Sequence, residues 1–279
     1  MKMTRTREIP KPLPVLEISD PSFIATKEFR KFAEFCDACR KSRYIGLCYG
    51  PPGVGKTYAA TQYTHWDLIE QWQECFSEYS APTAIQTYDT VLVTPGVSES
   101  PREIQTQITR ARFWLQHAIS ASYGAEEPSV TGKGDQTKLI IIDEADRLSA
   151  LGIEQVRAIS DREKLPVIFI GMPGIEKRFA RYAQLYSRIG FVHEVKTLSE
   201  EEVLFIVERK WEELGCAFNK DDFVDNETLA ALVRTTHGNF RLIGRLLCQV
   251  QRILEINGLS LITKEVIEAA RKNLVIGVE

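Results

Sequence analysis

The eight residues Gly50-Pro51-Pro52-Gly53-Val54-Gly55-Lys56-Thr57 spell G-x-x-x-x-G-K-T directly after the apolar run 44–49, and few other stretches leave a chain so little freedom. Glycines at positions 50, 53 and 55 let the main chain curl closely around an anion, presenting unpaired backbone N–H groups to it. A helix that starts at the end of such a loop adds the positive end of its dipole. The spacing predicts a triphosphate cradle running from Gly50 to Tyr58, with Pro51, Pro52 and Val54 inside it. Lys56 is expected on the β and γ phosphates and the Thr57 hydroxyl on Mg²⁺. ATP and Mg²⁺ are therefore the expected ligands.

The chain has 279 residues, 44% hydrophobic and 26% charged, enough for one medium domain and a small one. No run of about 18 apolar residues occurs and the N-terminal residues are basic and Pro-rich, so a cytoplasmic protein with no membrane contact is expected. Of six cysteines, only Cys36 and Cys39 form C-x-x-C, on a helical pattern with no second pair, which reads as reduced structural thiols. A net charge of −3 argues against a uniformly basic nucleic-acid binder and leaves a regional basic face open.

Residues 1–24 form a basic, Pro-rich arm, extended because its prolines cannot nucleate a helix. Composition leaves it either a docking arm or a solvated tail. Helical periodicity marks 26–41, capped by Thr26, then 58–72 and 101–122. Apolar runs at 90–94, 139–142, 166–171 and 191–195 read as further strands of a parallel sheet, buried on both faces. The alternation predicts an α/β nucleotide-binding domain over 25–198, with a parallel sheet flanked by helices. Past Leu198 only helical patterns remain, near 199, 226–236, 239–257 and 263–273, which predicts a small all-helical lid domain over 199–279.

Cleavage of a γ-phosphate needs a metal anchor and a carboxylate that orients or deprotonates water. Asp143 and Glu144 end the strand 139–142 at the edge where ligands bind on such sheets. Asp143 is the expected metal ligand and Glu144 the expected catalytic carboxylate.

GPPGVGKT, then LIIIDEADRL, then a strand ending in glycine and an all-helical C-terminal part resemble the AAA+ P-loop NTPases over residues 25–275. Within that superfamily, IIDEADRL and the segment IFIGMPGIEKRFARYAQLYSRIGFVHEV look like the TniB, TnsC and MuB group of DNA transposition regulators. Initiators and ExeA-like ATPases share much of the layout. The resemblance implies a homo-oligomer, ring or helical filament, whose sites lie at subunit interfaces. Among Lys177, Arg178, Arg181 and Arg188, Arg188 looks most like the arginine that reaches a neighbour's γ-phosphate; an ordinary surface arginine is the alternative. Gly238-Asn239-Phe240-Arg241 resembles the lid motif whose arginine senses that phosphate, with Asn239 as cap and Arg245 as the fallback. Met172 stands where the family places a polar, water-positioning residue, which implies slow hydrolysis or another group in that role.

For DNA the resemblance points to 97–112: Thr94, Ser98 and Ser100 as backbone or hydroxyl contacts to phosphate and Arg102 as the charged anchor. Solvated helix charges are the competing reading. The implied function is ATP-dependent assembly on duplex DNA with little sequence preference, target selection, and activation of a transposase, with a further target-selection protein as a possible partner. The competing expectations are a loader or remodelling ATPase of a replication or secretion complex, and a nucleotide-gated scaffold with negligible hydrolysis.

Overall fold

The computed structural model describes residues 23–74, 81–124, 134–213, 219 and 221–274. The arm up to residue 22, Cys75 and Cys216 lie outside the described residues. Five strands, β1 (Ile45–Tyr49), β2 (Thr90–Val93), β3 (Leu139–Ile142), β4 (Val167–Gly171) and β5 (Ile189–Glu194), form a parallel sheet in the order β2-β3-β4-β1-β5. The apolar runs end up where their composition sends them: β2, β3 and β4 are buried throughout. At the edge, β5 alternates half-buried and exposed residues, as a strand with one covered face must.

The helices are α1 (Lys27–Ser42), α2 (Lys56–Thr64), α3 (Trp66–Glu74), α4 (Pro101–Ser122), α5 (Ala150–Glu163), α6 (Ile175–Phe179), α7 (Ala183–Tyr186), α8 (Glu200–Glu213), α9 (Phe223–Thr236), α10 (Phe240–Asn257) and α11 (Lys264–Lys272). The described residues fall into two compact units. One spans 60–143 and 147–167; the other spans 23–59, 144–146 and 168–274.

In the first unit, β2 and β3 pair in register from Thr90↔Leu139 to Val93↔Ile142, so Asp143 follows the last paired residue. The start of α4 is fixed by a capping box. Ser100 Oγ accepts from the Glu103 N–H at 3.3 Å, and the Glu103 carboxylate accepts from the Ser100 N–H at 2.7 Å. Ile104, Ile108, Ala111, Leu115 and Ile119 are buried along one face of α4, in line with the helical periodicity over 101–122. The helix expected over 58–72 is two helices. α2 stops at Thr64, whose hydroxyl donates back to the Ala60 carbonyl at 2.8 Å, and His65 takes a left-handed φ of 50°. The break gives α3 its own direction, on which Trp66, Leu68, Ile69 and Trp72 are buried.

In the second unit, β1 pairs with β4 from Gly46↔Ile168 to Tyr49↔Gly171 and with β5 on its other side. Thr26 caps α1, its hydroxyl accepting from the Phe29 N–H at 3.1 Å, and α1 buries Phe32, Phe35, Cys36 and Cys39. Burial raises the Cys36 thiol and pushes the Cys39 thiol up to about 12, leaving both poor nucleophiles that act as small apolar side chains. Helices α8–α11 close on their own core, with Trp211, Leu232, Ile243, Leu246, Val250 and Ile267 at its centre. α9 begins at Phe223, three residues before the expected start, because Asp222 caps it by accepting from the Val224 N–H. The buried Glu202 carboxylate accepts from the Ser199 N–H and from the Glu28 N–H, each at 3.1 Å, tying the start of α8 to the start of α1. Among the described residues, no helix is long and apolar enough to cross a membrane.

His193 on β5 stacks on Phe35, ring centroids 5.4 Å apart, with its Nε2 buried and unbonded. Burial lowers its pKa, Lys31 lowers it further, and Glu28 and Glu34 oppose that. A histidine depressed on folding takes up its proton more readily in the unfolded chain, so stability falls as pH drops through the ordinary histidine range. Urea unfolding at pH 7.5 and pH 5.5 (~2 units spanning the reference value) should show that fall in the wild type and a smaller one in His193→Phe.

Candidate functional site

The phosphate loop runs from the end of β1 into the first turn of α2, as the motif spacing requires. Lys56 folds over it: its Nζ donates to the Gly50 carbonyl at 2.6 Å and the Pro51 carbonyl at 2.8 Å, and lies 3.7 Å from Met172 Sδ. Both carbonyls are neutral acceptors, which a phosphate oxygen would outcompete through charge. Thr57 follows on the helix, and Tyr58 one residue later stacks its ring on Phe240, centroids 5.6 Å apart and 23° from parallel.

The start of α10 is bonded directly to this loop. Asn239 caps α10 by accepting from the Leu242 N–H at 3.2 Å, and its amide nitrogen donates to the Pro52 carbonyl at 2.9 Å. The Arg241 N–H donates to the Gly53 carbonyl at 2.9 Å. Gly53 has φ 79°, and a Cβ there would sit 2.5 Å from Asn239 Oδ1. Glycine at 53 is thus required twice, by the backbone conformation and by the approach of the lid. The Arg241 side chain is exposed beside this junction.

Beside the loop opens an apolar pocket of about 470 Å³ counting its mouth, walled by Phe23, Phe29, Val54, Tyr58, Leu198 and Phe240. A flat, largely apolar ring fits such walls, and the aromatic side chains offer faces for it. Sequence reasoning missed this pocket. The Pro-rich pattern assigns Phe23 and Ile24 to the arm, yet Phe23 packs on Phe29 and Tyr58, and Ile24 packs on the core of α8–α11. The available signal was Phe23 and Phe29 flanking the Thr26 cap, which places aromatic groups on both sides of a helix start.

Glu144 has φ 48°, a left-handed conformation that costs a non-glycine residue about 1–3 kcal/mol and concentrates at functional positions. In the other unit Asp143 is a buried carboxylate, 2% exposed, whose N–H extends the β2–β3 ladder by donating to Val93 O at 2.9 Å. Of the basic candidates, Arg178 donates to the Asp146 carbonyl at 2.8 Å, and Arg188, half-buried, donates to the Gln184 carbonyl at 2.5 Å. Lys177, Arg181 and Arg245 are exposed. Thr94, Ser98, Ser100 and Arg102 are all exposed around one loop and the first turn of α4, with Ser98 at φ 64°. Ser100 already uses its N–H and an acceptor lone pair in the capping box.

The profile of a family described as "AAA domain" matches residues 39–179. A "potential ATP-binding protein" of Staphylococcus aureus is 44% identical over 273 residues, covering 92% of this chain and 98% of that protein. The "ATP-dependent target DNA activator B" of Escherichia phage Mu is 23% identical over 175 residues, 61% of this chain and 50% of that protein, so the match spans half of that relative. Among solved structures, the RuvB Holliday junction branch migration motor of Thermotoga maritima aligns with a TM-score of 0.56 at 17% identity, over 91% of this chain and 71% of that one. At that identity the likeness speaks to the fold.

Asn239→Ala removes the helix cap and the bond to Pro52 together. Thermal and urea unfolding should show a loss of about 1 kcal/mol, and nucleotide titration should show weaker binding, because the loop loses its support from the lid. Unchanged nucleotide affinity would mean that the junction only holds the lid helix.

Proposed function

The chain belongs to the AAA domain family of P-loop ATPases, and we propose that it is a DNA transposition regulator. In this reading it binds ATP, oligomerises on duplex DNA through backbone contacts, selects the target and activates a transposase. What supports the finer reading is the similarity to a target DNA activator, joined to a phosphate loop that is bonded to the start of a lid helix. That junction lets the phosphate state of the nucleotide bear on the lid, which an ATP-dependent assembly needs.

The roles follow from chemistry. Backbone N–H groups of 50–57 and Lys56 bind the phosphates, the pocket of Phe23, Tyr58 and Phe240 takes the base, and Arg241 reads the γ-phosphate from the lid. Thr57 and Asp143 are the residues that would hold Mg²⁺. One hydroxyl and one carboxylate suit a hard cation that keeps water and phosphate oxygens as its other ligands. Such an ion would supply charge neutralisation to the bound nucleotide. Glu144 orients the attacking water and takes its proton, and Arg188 of a neighbouring copy neutralises charge on the leaving side. Thr94, Ser98, Ser100 and Arg102 face DNA phosphate.

Met172 favours one competing reading, the scaffold that binds ATP without turning it over, since a thioether cannot position water. Turnover measured with and without duplex DNA separates the two: DNA-stimulated hydrolysis is expected, and retained ATP binding with no hydrolysis would leave the scaffold. A salt titration of duplex binding should show a steep loss of affinity with little sequence dependence.

The trans role of Arg188 has its own test. Arg188→Ala should bind ATP and lose roughly 10³-fold or more in turnover, and Glu144→Gln should trap the ATP-bound oligomer. Mixed together, the Arg188 of one variant can face the Glu144 of the other. Activity above either variant alone is expected; no recovery despite shown co-assembly would exclude Arg188 acting across the interface.

A further inference from the structure

β4 ends at Gly171, and the residue that follows, Met172, brings no polar side chain to the site. We infer that Asp146, arriving from the turn after β3, supplies the polar group at the end of β4 and orients the attacking water beside Glu144. This rests on the ATPase reading above. Asp146 Oδ2 accepts from the Met172 N–H at 2.7 Å, which fixes the carboxylate at the strand end. The carboxylate fits there because residue 171 is glycine: a Cβ would lie 2.6 Å from Asp146 Oδ2 and 2.5 Å from Ile175 Cδ1. The main-chain turn is held as well, since Arg178 donates to the Asp146 carbonyl at 2.8 Å.

The position is next to the reacting phosphate's expected place. Met172, whose N–H binds the carboxylate, also brings its Sδ to 3.7 Å from Lys56 Nζ, so one residue separates Asp146 from the lysine that meets phosphate. The left-handed Glu144 turns the chain just before it. Asp146 is exposed, and its Oδ1 makes no hydrogen bond or ion pair with any described residue. A carboxylate clamped through one oxygen keeps the other as an acceptor in a fixed place, the arrangement that a water-orienting group requires.

In the proposed step the water donates one hydrogen bond to Asp146 Oδ1 and its other proton passes to Glu144. The water oxygen bonds to the γ-phosphorus as the bond to the bridging oxygen breaks, and ADP leaves with that electron pair. Asp146 takes no proton in this step. A carboxylate that only clamped the Met172 amide would be a fold element, and its loss would act on stability and nucleotide binding.

The test is steady-state ATP hydrolysis by the full chain, with Tm and ATP affinity measured on the same samples. Asp146→Ala should lower kcat by about 10²-fold with KM and Tm little changed. Adding Met172→Asn to that variant should recover at least about tenfold, by placing an amide acceptor at the strand end. Should the alanine variant not fold, Asp146→Asn, of the same volume, carries the comparison and should also lose kcat at unchanged KM. An unchanged kcat, or a loss that follows Tm and ATP affinity and is not recovered by Met172→Asn, overturns the role of Asp146. Wild-type turnover no faster than that of Lys56→Ala overturns the ATPase reading itself, and Asp146 with it.

Discussion

Two hydrogen bonds from the start of a lid helix to consecutive carbonyls of the phosphate loop, Asn239 to Pro52 and Arg241 to Gly53, are what the site depends on. A phosphate loop must offer its N–H groups to the ligand, which leaves its carbonyls facing away and in need of donors. Lys56 serves Gly50 and Pro51, and the lid serves Pro52 and Gly53. Each bond contributes about 0.5–1.5 kcal/mol, modest against the entropy of ordering a loop but delivered where the chain has least side chain to pack. The same approach brings Phe240 onto Tyr58 and completes the wall of the apolar pocket, so the loop, the start of α10 and the pocket wall share residues.

Glu202 adds a second tie of the same kind. Its carboxylate receives N–H groups from the starts of both α1 and α8, so the helix that carries Phe29 and the first lid helix are fastened to one buried charge. A bound nucleotide can bear on the helical region only through such coupling, because a ligand shifts an equilibrium only by its difference in affinity for the two arrangements.

Much of this was legible in the chain because its signals were local. G-x-x-x-x-G-K-T, the run 139–142 ending in Asp143-Glu144, the Thr26 cap and the stripe of α4 each declare themselves within a few residues, and the family match reaches the same fold. Where tertiary contact decides, no local signal marks the outcome. A helix pattern over 58–72 gave no sign that Thr64 and His65 would break it, since the break serves the burial of Trp66 and Trp72. Phe23 and Ile24 look like the end of a Pro-rich arm until the core that receives them is in view. Asp146 lies inside the run LIIIDEADRL, yet nothing in that run marks a role for it; only the missing Cβ of Gly171 and the Met172 amide give it a place.

The central claim is that loop and lid respond to nucleotide as one body, and hydrogen exchange of the full chain with and without ATP tests it most directly. The account predicts slower exchange on adding ATP in 50–57 and 239–245 together, with the Arg241 amide among the protected positions. Protection confined to 50–57, with exchange in 239–245 unchanged, would contradict it.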